Sequence, residues 1–411
     1  MSTSAALPVS FAEQFSSYRW VILAVLWITY VVVFLARLSV GPLAPFLKED
    51  LHITSAQVGL VMSTAAFGYM LTQIPVGWLV DRIGARWPIA VGEILAGFCM
   101  FGVAVSPSYA WMLGLMLLVG MSCGCLMPAT TQAVVVWFPR RERATVMGIK
   151  QMAVNAGGII GAATLPAIAL AWGWRAGFGS LGIVAIAIGA ISLVFYRNPT
   201  AAPATEATGA APRVALRSLA ANREIWLVAV AGLCMNWVEM AMIGHFVLYM
   251  KEALAFSVVA AGAMLATAET AGAFARPGSG LVSDWLFRGR RKPVFLILAV
   301  MTTAMCVVLA AAGPSLGRLM FPVVFVFGIG GVGFGAICFT MLSEFGGRQG
   351  AGTASAFGST VGMIGSIVGP IAFGHIVDIS RSYEMAWWSQ AAIGSLAVVA
   401  LLFVRESLRE I

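Results

Sequence analysis

The sequence predicts an all-α membrane protein of twelve transmembrane helices arranged in two pseudo-symmetric six-helix halves. Three observations carry that expectation. Of 411 residues, 60% are hydrophobic and only 10% are charged, whereas a soluble domain carries roughly 25% charged residues to cover its surface. The apolar residues gather into runs long enough to cross hydrocarbon, which takes about 20 residues per helix. A Gly-xxx-Asp step leading into a basic loop also occurs twice: Gly77 to Asp81 with Arg82 and Arg86, and Gly280 to Asp284 with Arg288, Arg290, Arg291 and Lys292.

Taken in order, the expected spans are 20–46, 57–79, 88–106, 110–137, 144–169, 174–196, 225–250, 258–283, 293–313, 319–342, 352–376 and 384–404. Polar residues to about Ser17 precede the first, so no cleavable signal is expected. The Asp81 loop separates the second span from the third, and the Asp284 loop separates the eighth from the ninth. Between the sixth and seventh lies the one long polar stretch, rich in Ala, Pro, Thr and Arg, with a short amphipathic run near Val214–Leu219. It reads as a linker at 198–224, dividing the chain into halves 1–197 and 225–411.

The halves look duplicated. Gly77 and Gly280 lie 203 positions apart, and Ala144-Thr145-Val146-Met147-Gly148 is similar to Ala354-Ser355-Ala356-Phe357-Gly358 at an offset of 210. Transporters built from repeats hold their cargo near the bilayer midplane, at the repeat interface. Glycine runs such as Gly157-Gly158-Ile159-Ile160-Gly161 let helices approach closely, by ordinary membrane packing or by sliding.

The net charge of +8 comes from topology. With the amino terminus inside, seventeen of the Lys and Arg residues fall on the cytoplasmic side and five (Lys48, Arg175, Lys251, Arg318 and Arg381) on the other, while Arg37, Lys150 and Arg276 lie within spans. That bias predicts both termini in the cytoplasm and argues against a nucleic-acid partner. All six cysteines fall in apolar spans, with no disulfide framework or CxxC pair. There is no phosphate loop for ATP, no metal-ligand cluster among three scattered histidines, and no catalytic constellation. No cofactor, metal or enzymatic activity is expected, and the carrier is expected to act as a monomer in a lipid bilayer.

The stretch Gly68-Tyr69, Gln73-Ile74-Pro75, Gly77-Trp78-Leu79, Asp81-Arg82, Gly84-Ala85-Arg86 resembles the signature loop of the major facilitator superfamily, in its anion:cation symporter branch. Trp137-Phe138-Pro139 with Arg143-Ala144, and Gly173-Trp174-Arg175 with Phe178, are similar to the same branch. The resemblance covers essentially the whole chain. It implies a secondary transporter of a small organic anion, most plausibly a carboxylate, working by alternating access with protons as coupling ion, in a bacterial inner membrane. It also implies gating roles for Asp81, Arg82 and Arg86, and by repeat for Asp284 and Arg288.

Ionisable side chains at membrane depth cost at least about 2.5–3.5 kcal/mol each, so each requires a reason. The branch carries an arginine where Arg37 stands, implied to hold the substrate anion; an internal ion pair is the alternative. Lys150, beside Gln151 and Asn155, is either a second anion contact or a snorkelling cation. Tyr30 and Trp237 are cavity candidates by position, with core packing as the alternative. Glu239 and Glu269, with His245 two turns outward from Glu239, are candidates for proton coupling. A carboxyl at membrane depth can change its charge as its surroundings change. The alternative is a fixed salt bridge, for which Arg276, seven residues from Glu269, is an available partner. Glu93 is expected to pair with the Arg82/Arg86 loop. Two departures stand out: Ala36 and Cys123 occupy places where many proton-coupled members of the branch carry carboxyl groups, which points to a proton carrier in the second half and leaves exchange or facilitated movement without protons open. Buried carboxylates also keep open a proton-coupled drug or lipophilic-cation exporter, and the same fold hosts non-transporting sensors.

Overall fold

The computed structural model describes residues 17–198 and 221–406. The expected linker and its amphipathic stretch lie almost wholly outside the described residues. Within them the chain is helical from end to end. The first crossing is α1 (Tyr18–Leu38) continued by α2 (Val40–Leu51). At the joint, the Ser39 hydroxyl donates to the Ala36 carbonyl at 2.7 Å. Then come α3 (Ser55–Ile83), α4 (Arg86–Ala104), α5 (Tyr109–Gly124) and α6 (Leu126–Trp137). The next two crossings, α7 (140–172) and α8 (174–195), meet at Gly173, whose φ of +82° turns the chain where a side chain would be strained.

The second half holds α9 (Arg223–Glu252), α10 (Val258–Trp285), α11 (Lys292–Ala312) and α12 (Met320–Phe327). A π-turn at Gly328–Val332 links α12 to α13 (335–346). Gly347, with φ of +65°, turns the chain into α14 (348–380), and α15 (Tyr383–Phe403) closes the fold. Counting α1–α2, α5–α6 and α12–α13 as single crossings gives twelve among the described residues. They lie within a few residues of the expected spans.

Capping explains where α3 begins. Thr54 Oγ1 accepts from the Gln57 N–H at 3.2 Å, while Gln57 Oε1 accepts from the Thr54 N–H at 2.8 Å. This capping box stops the left-handed turn at His52 from running on into the helix. The halves then pack through small residues. A Cβ at Gly59 would strike the Pro370 backbone, one at Gly374 the Ser55 backbone, one at Gly262 the Ala162 carbonyl, and one at Gly41 the Ile243 carbonyl. These close approaches press α3 against α14, α7 against α10, and α2 against α9.

Candidate functional site

Arg37 is the last basic residue of α1, just before the Ser39 joint. Its guanidinium lies 4.5 Å from the centre of the Tyr69 ring and 5.7 Å from that of Phe34. Among the described residues it has no carboxylate within ion-pair distance. It is only partly buried, beside Tyr69 of α3. Lys150 of α7 is 2% exposed. Its ammonium donates to Thr130 at 3.2 Å and Thr131 at 3.1 Å, and lies 4.6 Å from the Tyr30 ring centre. Neutral hydroxyls and a π-face satisfy it without cancelling its charge. Tyr30 lies beside Lys150 and Tyr69 beside Arg37, so an aromatic ring faces each cation.

The second half offers carboxyl groups. Glu239 of α9 pairs with Arg276 of α10 at 3.7 Å, and the same guanidinium donates through Nε to the Val332 carbonyl at 3.2 Å. That carbonyl belongs to the π-turn, a type of helix defect that recurs at functional sites. Glu269 accepts from Asn155 of α7 at 3.3 Å. Arg276, an available partner for Glu269 along its own helix, pairs with Glu239 instead. Seven residues along a helix is about 10.5 Å of rise, and Glu239 on the neighbouring helix comes closer. Arg37 in turn feels the Glu239 charge across the interface.

Other expected residues are placed differently. Gln151 is exposed, on the side of α7 away from buried Lys150. Trp237 is half-buried, with Gly365 and Gly369 packed on its backbone. Glu93 does not reach the Asp81 loop. Arg86 turns away from it and donates to the Leu193 carbonyl at 2.6 Å, satisfying an open carbonyl near the end of α8. Asp81 accepts from Gln132 at 3.4 Å, and Arg82 is exposed. Asp284 pairs with Arg291, which also reaches Glu344 at 3.1 Å; Arg288 sits exposed in a left-handed turn.

The polar links between the halves are distributed unequally. At the Lys48 end, Lys48 pairs with Glu252 at 2.9 Å, and Lys251 pairs with Glu49. Asp378 of α14 accepts from the backbone N–H of Ser55 at 2.9 Å and of Ala56 at 2.8 Å. A carboxylate is thereby placed on the open amino terminus of α3. His245 Nε2 meets the Ser55 carbonyl at 3.0 Å, so this histidine serves the same seam rather than Glu239. Tyr383 donates to Glu252 at 2.6 Å and packs with Tyr249, Phe373 and Trp387 in an aromatic plug. At the Asp81 end, Arg19 pairs with Glu142 at 3.1 Å, Arg291 with Asp284 and Glu344, and the Arg405 N–H donates to Glu224 at 2.8 Å, each of these within one half. The sequence reading missed Asp378, Glu252 and Tyr383. Their one signal was the capping box at Thr54, which announces a helix terminus ready for an anion.

Residues 26–370 match the model of the Major Facilitator Superfamily. The chain belongs to that superfamily. Members of this superfamily are multi-pass membrane transporters, and the observed crossings agree with that architecture. The chain is 24% identical over 413 residues to a probable sulfoacetate transporter of Cupriavidus necator, covering 94% of each chain. It is also 24% identical over 412 residues to a hexuronate transporter of Bacillus subtilis, covering 97% of this chain and 96% of the other. A probable galactarate/D-glucarate transporter of Bacillus subtilis is 24% identical over 429 residues, covering 95% and 92%. Among solved structures, a bacterial homolog of the human lysosomal transporter Spinster, in an inward-facing and occupied conformation, superposes with a TM-score of 0.81. It is 18% identical and covers 95% of this chain and 96% of its own, a likeness of fold alone.

Proposed function

We propose that the protein is a secondary transporter that moves a small organic anion, a carboxylate or sulfo-carboxylate, by alternating access in symport with protons. One observation carries the reading: Arg37 and Lys150 stand at the centre of the first half with no carboxylate partner among the described residues. Cations left unpaired at membrane depth are costly unless a ligand completes them. The guanidinium can grip a carboxylate through two parallel bonds, and the ammonium supplies a second charge beyond Tyr30. The sulfoacetate, hexuronate and galactarate/D-glucarate transporters to which the chain is similar support this class.

In this reading Glu239 and Glu269 exchange protons, each with a partner that ties its charge to helix position. The halves 1–197 and 225–411 rock about the anion, joined through 198–224. The links at the Lys48 end form the closed gate, and the Asp81 and Asp284 loops with Arg82, Arg86 and Arg288 form the opposite one. Both termini face the cytoplasm of a bacterial inner membrane, and one chain suffices for transport. The test is counterflow and proton-driven uptake of labelled sulfoacetate, glucuronate and galactarate into proteoliposomes, with wild type and Arg37→Ala. Uptake of at least one acid, abolished by the substitution, supports the reading. Uptake indifferent to Arg37 and driven only by an outward proton gradient would replace it with an exporter.

A further inference from the structure

Glu93 lies two turns into α4, is 1% exposed, and has no hydrogen-bond partner for either carboxyl oxygen among the described residues. Helix α4 is pressed onto α5 and α6 at Gly92, where the Ser122 carbonyl and the Leu126 side chain leave no room for a Cβ. It is pressed onto α8 at Gly189, against Ile94 and the Ala90 carbonyl. The facing surface of α8 has no ionisable side chain between Arg175 and Tyr196. On α5 the nearby hydroxyl is already engaged: Ser122 donates to the Leu118 carbonyl at 2.8 Å. The thiol of Cys125 is likewise turned to the Met121 carbonyl at 3.2 Å. An ionised carboxylate buried without a partner is costly, so the side chain sits there as the acid.

Cys123 connects this group to the anion site. Its thiol lies 3.9 Å from the Val33 carbonyl, one turn before Arg37 on α1. It stands within electrostatic reach of both Glu93 and Arg37, with Cys99 and Cys125 as the other titratable groups around it. Tyr30, Tyr69 and Glu239 are the groups that face Arg37.

We propose that Glu93 is a proton-binding site of the carrier whose occupancy is coupled to anion binding at Arg37, a proposal that rests on the anion reading above. While the carboxyl keeps its proton, the field of the guanidinium acts undiminished on an anionic substrate. Loss of the proton places a negative charge on the far side of Cys123 and weakens the hold on the anion. Proton and anion therefore bind together and leave together. The only bond that changes is the carboxyl O–H, whose proton passes to water on the side to which the carrier is open. Glu239 pairs with Arg276 and Glu269 accepts from Asn155, whereas Glu93 has no hydrogen-bond partner among the described residues.

The test compares wild type, Glu93→Gln and Glu93→Asp in proteoliposomes, using whichever of sulfoacetate, glucuronate and galactarate the wild type exchanges best. Glu93→Gln is expected to keep counterflow within about twofold of wild type and to lose proton-driven accumulation by about tenfold or more, within the usual range of coupling between sites. Its half-saturation concentration should vary with pH less steeply than that of the wild type, which rises with pH. Glu93→Asp should retain the gradient response. Accumulation by Glu93→Gln equal to wild type overturns the proposal, as does equal loss of counterflow and accumulation in both variants. Failure of the wild type to exchange any of the acids would instead overturn the anion reading. An infrared difference spectrum at pH 7, wild type minus Glu93→Gln without substrate, gives an independent readout. A protonated carboxyl band is expected, and its absence overturns the proposal whatever the cargo.

Discussion

Replacing Arg276 by Met tests the link between the second-half carboxyl groups and the π-turn. Arg276 and Glu239 approach to 3.7 Å, with side chains 23% and 8% exposed. At an effective dielectric of about 20, charges at that separation attract by about 4.5 kcal/mol. Removing one member of a buried pair typically costs about 3–5 kcal/mol, because the other charge is left alone. Replacing both members by neutral groups of similar size is often close to neutral. Arg276→Met is therefore expected to destabilise by about 3–5 kcal/mol, less any recovery as Glu239 takes up a proton. The double variant Glu239→Gln with Arg276→Met should regain at least half. With an unfolding entropy of about 2.1 cal/mol/K per residue, the single substitution lowers Tm by roughly 4–6 °C. The assay is thermal unfolding of purified protein in one detergent, for wild type, both single variants and the double. Losses that simply add in the double variant would refute the reasoning, because they would mean that the two groups do not interact.

Three further outcomes follow from the geometry. Lys150→Met should weaken anion binding by about tenfold or more while leaving Tm unchanged or raised, since it removes a buried ammonium held only by neutral groups; binding titration and thermal unfolding check it together. Asp378→Asn removes the charge that receives the Ser55 and Ala56 N–H groups, and should weaken closure of the Lys48 end by about 1.5–3 kcal/mol. A cysteine placed at Ser63, which is buried where its hydroxyl donates to the Ile367 carbonyl of the other half, should then react faster with a thiol reagent applied from that side. Gly59→Leu drives a side chain into the Pro370 backbone, so the Lys48 end should fail to close, and net transport should fall by about tenfold or more with the fold retained.

Much of the architecture was legible in the sequence because membrane insertion imposes a one-dimensional signal. Twenty apolar residues declare a crossing whatever surrounds them, and the repeated Gly-xxx-Asp steps declare the duplication. Breaks inside a crossing were not legible. The Ser39 joint and the interruption at Cys125 fall inside otherwise apolar runs, and the π-turn at Gly328–Val332 falls in a glycine-rich run whose composition does not specify that geometry. Pairing across helices was equally hidden. Arg276 lies seven positions from Glu269, which suggested a partner on one face, but the real partner comes from α9. Asp378 lies near the end of the eleventh span, and its importance comes from a helix terminus more than 320 positions away. Arg37 and Lys150 stood out because charge within an apolar run is conspicuous. That both lack carboxylate partners among the described residues emerged only once all facing helices were in place.

The concentration of inter-half links at the Lys48 end has a consequence for how the two sides of the membrane would experience this carrier. If those links bias the equilibrium by about 2 kcal/mol, only roughly 3% of molecules present the site to the Lys48 side at any moment. Cargo arriving from that side would meet an apparent affinity about thirtyfold weaker than cargo arriving from the other, although the site itself is one and the same. Half-saturation constants measured in right-side-out and inverted vesicles should therefore differ, and cutting the Lys48–Glu252 and Asp378 ties should bring the two values together.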